Sequence, residues 1–578
     1  MQVGKSRNES NVVQSSAMSA TRFQPRPDAK RLALLAVIFL DVLAAVLVAP
    51  QIVAHRDYPF DTDEAFHANG GLALALDWRA DDWRAFVVDS YQQSAYPPGF
   101  SWLEAPVFLL LGASPLVARA CSLATCLAAA LMVYAIGLEL DERFGWLAGL
   151  VAAALTLTAQ TILAYAAMAM LEAPGLLVSM AALWAYLRAT RQPAVWRLVL
   201  TSLLMALTVL TKYPYGTVVV PTIVAMEVLA VLATRQVRET ARRCLWLFGP
   251  FALAMLAWFA KPYKVAAFFE YATSQSQQVA LFSVENLVYY PRSIALHFDP
   301  SPVFALVTLA AVIWAMVRWR DERVRLFLLY LIIGLLVMTV KLQKHPRFIA
   351  TVAPAAHVLT GAMLAWLVAH WRGGWARARG VMVAVALALA VCVTASIPVL
   401  VERFATFPVL MGVQYQTDPD ANKLAAWIGG QIPAGQRFFL INPWDQFSAP
   451  AMEWYLATHG QSHVVRFADV FVPSVFLQPF KPENVESLQR LMHESGAQYV
   501  VALEGGPEGE QVWPDYVGAI GELLIPVTRQ EFAIEQWRHS VAQWVKQSLL
   551  TREGLEREKS AGRYTMHIQA TVYRLAEP

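Results

Sequence analysis

The chain has 578 residues, of which 57% are apolar and only 15% charged, and its mean hydropathy is +0.43. Soluble globular chains carry about 25% charged residues, so a string of soluble domains is excluded, as are a disordered chain, a disulfide scaffold and a collagen-like rod. What remains is an integral membrane protein.

The net charge of +3 conceals a division. From Glu402 onward 14 Lys/Arg face 20 Asp/Glu, whereas the part before it has 32 against 23. A basic membrane part therefore precedes an acidic tail. The four cysteines, Cys121, Cys126, Cys244 and Cys392, all lie in apolar runs. The tail can form no disulfide, and no spacing resembles a metal-thiolate site.

Residues 1–29 are polar and read as a disordered cytoplasmic lead, with no cleavable signal peptide evident. Apolar runs follow at roughly 32–54, 115–138, 144–166, 169–189, 196–212, 217–234, 244–261, 302–319, 325–342, 348–370 and 380–401. Each approaches the ~20 residues that cross a bilayer as a helix. The run 101–112 is too short, and Pro97, Pro98 and Gly99 break the chain before it, so it reads as a juxtamembrane or re-entrant helix.

Eleven spans place the termini on opposite sides. With the N-terminus inside, the inner loops carry Arg235, Arg238, Arg242 and Arg243, then Arg318, Arg320, Arg323 and Arg325, then Arg372, Arg377 and Arg379. That is the orientation expected of basic loops. The connections 55–114 and 262–301, and the domain 402–578, are then extracytoplasmic. The membrane expected is the plasma (inner) membrane. In the tail, Arg437–Asn442 and Gln498–Leu503 read as strands, Thr565–Leu575 alternates, and Glu483–Ser495 reads as an amphipathic helix ended by Gly496. Ile534, Trp537, Val541, Trp544 and Val545 read as a helical stripe. The whole is a polytopic α-helical membrane protein, with a catalytic domain at 30–401 and a small soluble α/β domain behind it.

The first outer loop holds Asp61-Thr62-Asp63-Glu64, followed by Phe66 and His67. Three carboxylates in four residues repel one another, and such a cluster usually binds a cation or holds a raised pKa. The bland alternative is a solvated acidic turn. Several other charges map to the same leaflet. Arg119 lies one turn into span 2, Glu172 at the start of span 4 and Lys212 at the end of span 5, while Lys341, Lys344, His345 and Arg347 form the loop between spans 9 and 10. Each alone could be a snorkelling anchor; their convergence points to a site. Carboxylates can take a proton from an attacking hydroxyl. Cations, with or without a divalent metal held by Asp61 and Asp63, can stabilise charge on a departing phosphate.

Asp63-Glu64, Tyr96-Pro97-Pro98-Gly99, Arg119, Glu172-Ala173-Pro174, Leu210-Thr211-Lys212 and Lys344-His345-Pro346-Arg347-Phe348 resemble, in order and spacing, the GT-C glycosyltransferases. The nearest in pattern are the protein O-mannosyltransferase and lipid A aminoarabinose transferase group, families 39 and 83. The resemblance covers about residues 30–400. It implies transfer of a sugar from a polyprenyl-phosphate carrier to an extracytoplasmic hydroxyl on a glycan, lipid or protein, usually with inversion. Asp63 matches the catalytic acidic position, Glu64 its neighbour, Glu172 a second acidic position, and Lys344–Arg347 a basic region near the lipid phosphate. Many relatives have Lys where this chain has Tyr96. Nucleic acid is not an expected partner. A transporter or lipid-linked glycan flippase is the alternative, but it should show internal repeats and midplane charges, and neither is evident.

Overall fold

The computed structural model describes residues 27–93, 96–273, 280–341, 344–371, 387–402, 420–433, 436–441, 449–459, 496–505, 520–537 and 563–576, with a few single positions between. The polar lead, residues 541–545 and most of the predicted 483–495 helix lie outside them.

Where they are described, the apolar runs fall on helices or broken pairs of helices; of the run 380–401 only residues from 387 onward are described. Helix α1 (Pro27–Ala54) is followed by three short helices, α2 (Thr62–Arg79), α3 (Trp83–Gln92) and α4 (Ser101–Leu111). The bundle continues with α5 (Pro115–Leu140), α6 (Gly145–Leu157), α7 (Gln160–Ala166), α8 (Glu172–Arg191), α9 (Val195–Thr211), α10 (Tyr213–Thr234) and α11 (Val237–Trp258). After α12 (Pro262–Thr273) and α13 (Val284–Ser293) come α14 (Ala305–Val317), α15 (Glu322–Val340), α16 (Ala353–Trp371) and α17 (Leu387–Glu402). Five of these are long and apolar enough to cross a membrane alone, or six if α6 and α7 form one span bent by 66°. The bend follows from Thr156 and Thr158, whose hydroxyls donate to the carbonyls of Ala152 and Leu155. Such back-bonding bends helices, and Ala159 is already extended.

Small residues let the helices approach closely, as membrane packing requires. A Cβ on Gly137 would meet the Gly149 backbone at 2.2 Å, and one on Gly361 would meet the Ala148 carbonyl at 2.2 Å. The shared core runs through Val133, Ala152, Leu183, Val219, Phe327 and Leu359.

The tail contributes α18 (Ala421–Gln431), β1 (Phe438–Ile441), α19 (Ala449–Thr458), β2 (Tyr499–Gly505), β3 (Leu524–Trp537) and β4 (Arg563–Leu575). The strands form one sheet in the order β1-β2-β4-β3, parallel between β1 and β2 and antiparallel elsewhere. Val485, Gln489 and Met492 are helical and Gly496 has φ +64°, in keeping with a helix ending there. The helical stripe is corrected: Ile534 and Trp537 belong to β3, where Ile534 pairs with Met566 and Trp537 with Arg563. Ile534 is buried next to an exposed Ala533, as neighbours on opposite faces of a strand are.

Helix α19 docks on α2. The Asn69 amide donates to the Pro450 carbonyl at 2.8 Å, and Trp454 packs edge-on against Phe60 at 5.0 Å. The tail thus sits on the end of the bundle that α2 occupies.

Candidate active site

The acidic cluster is first of all a helix start. Asp61 is the N-cap of α2, its carboxylate accepting from the Asp63 N–H, while Glu64 accepts from the Asp61 N–H at 3.2 Å. This capping box aims the two acids in opposite directions. Glu64 turns inward and is fully buried. Arg119 grips it with two charge-assisted bonds of 3.0 Å, and the Ala169 N–H adds a third at 2.9 Å. Arg119, itself fully buried, also donates to the carbonyls of His55 and Pro59. Every lone pair of Glu64 facing the protein is engaged, so Glu64 and Arg119 lock α2, α5 and the approach to α8 together.

Asp63 faces the cleft instead. The Tyr96 hydroxyl donates to Oδ1 and Arg347 Nη1 to Oδ2, each at 3.0 Å. Burial opposes ionisation of Asp63, but Arg347 above all, with Lys212 and then the Tyr96 hydroxyl, outweighs it and holds the carboxyl down at about 2. Tyr96 is placed by the turn behind it. The Gly99 N–H donates to the Leu210 carbonyl at 2.6 Å, and a Cβ on Gly99 would lie 2.7 Å from that oxygen. Only glycine permits this approach.

Across the cleft, Lys212 bridges the end of α9 and the start of α10 and donates to Glu172 Oε1 at 3.0 Å. Glu172 Oε2 is buried with no donor on it among the described residues. Lys341 lies with its ammonium 3.6 Å from the Phe348 ring centre. Loss of hydration, then Lys212 and Arg347, push it down to about 7. His345 caps the short turn Pro346–Ile349, accepting from the Arg347 N–H.

Two of the predicted binding residues do other work. Lys344 gives its ammonium to the carbonyls of Met338, Thr339 and Lys341, which are the open carbonyls at the end of α15. It anchors the loop rather than facing the cleft, and Arg119 is a positioning residue for Glu64. Nor do Asp61 and Asp63 gather a metal-ligand set: both Asp63 oxygens are bonded, Glu64 is taken by Arg119, and among the described residues no group of three His, Cys, Asp or Glu could hold an ion.

His67, to which the sequence alone assigns no role, joins the site from α2. One turn after Asp63, it is 5% exposed and stacks edge-on against Tyr96 at 4.7 Å. Loss of hydration pushes its imidazole down to about 4, so it is neutral near pH 7. The i, i+4 spacing of Asp63 and His67, which puts both on one face of a helix, was the available signal.

Comparison with known proteins bears on the fold that carries these residues. Residues 95–260 match the family model described as dolichyl-phosphate-mannose-protein mannosyltransferase. Among solved structures, the chain is similar to the apo form of ArnT from Cupriavidus metallidurans, at 18% identity and a TM-score of 0.55, covering 86% of this chain and 96% of that one. The same protein bound to undecaprenyl phosphate matches at 15% identity and TM-score 0.54, covering 93% and 97%. The oligosaccharyltransferase AglB from Archaeoglobus fulgidus, in complex with an inhibitory peptide and a dolichol-phosphate, matches at 13% identity and TM-score 0.54, covering 82% of this chain and 70% of that one. No curated protein matches by sequence. The family match is thus confined to residues 95–260, while the chain as a whole shares the fold of these solved structures.

Proposed function

We propose that the protein moves a sugar from a polyprenyl-phosphate carrier to an extracytoplasmic acceptor hydroxyl, with Asp63 as the base. It would do so in the plasma (inner) membrane as an eleven-span chain, with the site and the tail domain outside. The observation that carries this reading is the cleft itself, where one half-buried carboxylate, Asp63, shares its space with Arg347, Lys341 and the Lys212–Glu172 pair.

The acceptor hydroxyl attacks the anomeric carbon as the bond to the carrier's phosphate oxygen breaks. Its proton passes to Asp63, and the departing phosphate gains a charge that nearby cations stabilise. Arg347 suits that part because its Nε is buried without an acceptor, a donor ready for a phosphate oxygen. A phosphate drawing on Arg347 also weakens the clamp on Asp63 and so strengthens it as a base. The lipid finds a groove of about 410 Å³ beside Lys212, lined by Tyr213, Val220, Phe251, Phe259 and Phe268. ArnT and AglB, each solved with a polyprenyl or dolichol phosphate, lend support.

The test is turnover by purified protein given a polyprenyl-phosphate sugar and candidate acceptors, read as release of polyprenyl phosphate. Asp63→Asn, which removes basicity but keeps shape, should lower turnover by about two orders of magnitude or more while donor binding survives. Near-normal turnover in that variant would take Asp63 out of the mechanism, and absence of release from the unaltered protein with every donor would overturn the reading itself.

A further inference from the structure

A second polar cavity lies at the other end of the bundle. Helix α8 begins at Glu172, in the cleft, and ends at Arg191, on the cavity wall. Its 20 residues span about 30 Å, the thickness of a bilayer's hydrocarbon core. Helix α9 runs from Leu198 at the cavity to Lys212 at the cleft, and α15 from Arg325 to Lys341. The two sites therefore lie a membrane apart, and the cavity has no part in the chemistry described above.

The cavity has a volume of about 810 Å³ and is lined by five arginines: Arg191, Arg242, Arg243, Arg323 and Arg325. Four acids also line it; Arg191 is already paired with Glu139 and Glu142 and Arg323 donates to the Leu140 carbonyl, but Arg243 and Arg325 keep donors unused. Glu227 already accepts from Arg243 Nη2 at 2.9 Å and from the Tyr186 hydroxyl at 2.8 Å. Asp321 caps α15 through the Arg323 N–H. Glu322 is 70% exposed and stands 3.7 Å from Arg325, and Glu239 lies on the exposed first turn of α11. What is left over are donors: Nε of Arg243 and Nε of Arg325 are both buried with no acceptor among the described residues. Two buried guanidinium N–H groups without acceptors are costly, and a phosphate is the group whose geometry matches them.

We propose that this cavity binds the phosphate headgroup of an anionic phospholipid, held by Arg243 and Arg325 with Arg242 at the rim. A lipid, rather than a soluble phosphate, is indicated by the surface that continues from the arginines. On α11, Leu245, Leu253 and Leu256 are each 66–69% exposed, and on α10 Val228 and Leu232 are 50% and 69% exposed. Trp246 stands between this apolar stripe and the cavity. Acyl chains can lie along the stripe while the phosphate enters among the arginines, the arrangement by which basic pockets between spans recognise lipid headgroups.

The experiment uses the full chain in detergent and reads its thermal midpoint against three probes: dioctanoyl phosphatidylglycerol, dioctanoyl phosphatidylcholine and inorganic phosphate. Phosphatidylglycerol should raise the midpoint in a saturable way and the other two should not. Arg325→Gln should weaken its apparent affinity about 10- to 150-fold, the effect of one charge-assisted contact. Arg242→Gln, at an exposed residue that keeps the fold intact, should weaken it less and guards against a misfolded Arg325 variant. Equal stabilisation by phosphatidylcholine, equal stabilisation by inorganic phosphate, or an unchanged phosphatidylglycerol response in both variants would each overturn the proposal. None of these readouts depends on glycosyl transfer.

Discussion

Asp63 and Glu64 are adjacent in the chain and opposite in use. Glu64 has three donors on it besides its capping bond and holds the fold. Asp63 has two, both from groups that border the cleft. The difference comes from the helical turn of about 100° per residue, which sends one side chain inward and its neighbour to the opening. Arg347 is the cation that sets the behaviour of Asp63, and this has a measurable consequence. Arg347→Gln removes the nearest charge favouring the carboxylate, so the carboxyl moves up from about 2 while burial still opposes ionisation. A base is active only when unprotonated, so the acid limb of the turnover–pH profile should shift to higher pH, and donor KM should rise. An acid limb that stays where it is in the unaltered protein would mean that Asp63 is not the group whose protonation it reports.

Helices were readable because each apolar run is long, and long runs in a membrane have one way to satisfy their backbone. The break between α6 and α7 was hidden: residues 144–166 hold no proline, and the bend is made by threonine hydroxyls turning back on the helix. The β3 strand was hidden for another reason. Ile534 and Trp537, three apart, fit a helix face, but their partners in β4, Met566 and Arg563, lie 32 and 26 residues further along the chain, beyond any local pattern. In the site, the gathering of these charges at one end of the bundle was readable, whereas which charge meets which depends on side-chain direction: Arg119 turns to Glu64, and Lys344 to the carbonyls that end α15. The turn before α4 ties an element to the chemistry. In Gly99→Ala the new Cβ would press on the Leu210 carbonyl, moving the turn away from the end of α9 and drawing the Tyr96 hydroxyl off Asp63. Overpacking of this kind costs about 1–3 kcal/mol. The variant should melt earlier and turn over more slowly than Tyr96→Phe, which loses the same hydrogen bond without moving the backbone; equal behaviour of the two would show that the turn has no positioning role.

The molecule is polarised along its helices, with Asp63, Glu172, Lys212 and Arg347 at one end and the arginines of α8, α11 and α15 at the other. The tail domain is fixed to the first of these ends through α2. Trp454 is 4% exposed and lies against both Phe60 and Phe108, and Phe60 in turn lies under the Arg119 guanidinium at 5.2 Å. Packing therefore runs unbroken from the tail to the residue that grips Glu64 and orients α2. Two measurements follow. A reporter fused after Glu402 should be extracytoplasmic, and one inserted between Arg235 and Arg243 cytoplasmic, since the docking of α19 on α2 requires the tail to share the side of the cleft. Trp454→Ala should then act at a distance: truncating a buried tryptophan costs about 3–5 kcal/mol, and here the loss falls on the seam between tail and α2. Turnover should drop although Trp454 touches none of the reacting groups. Full turnover in Trp454→Ala, with both reporters on their expected sides, would show that α2 is oriented by Arg119 and Glu64 alone.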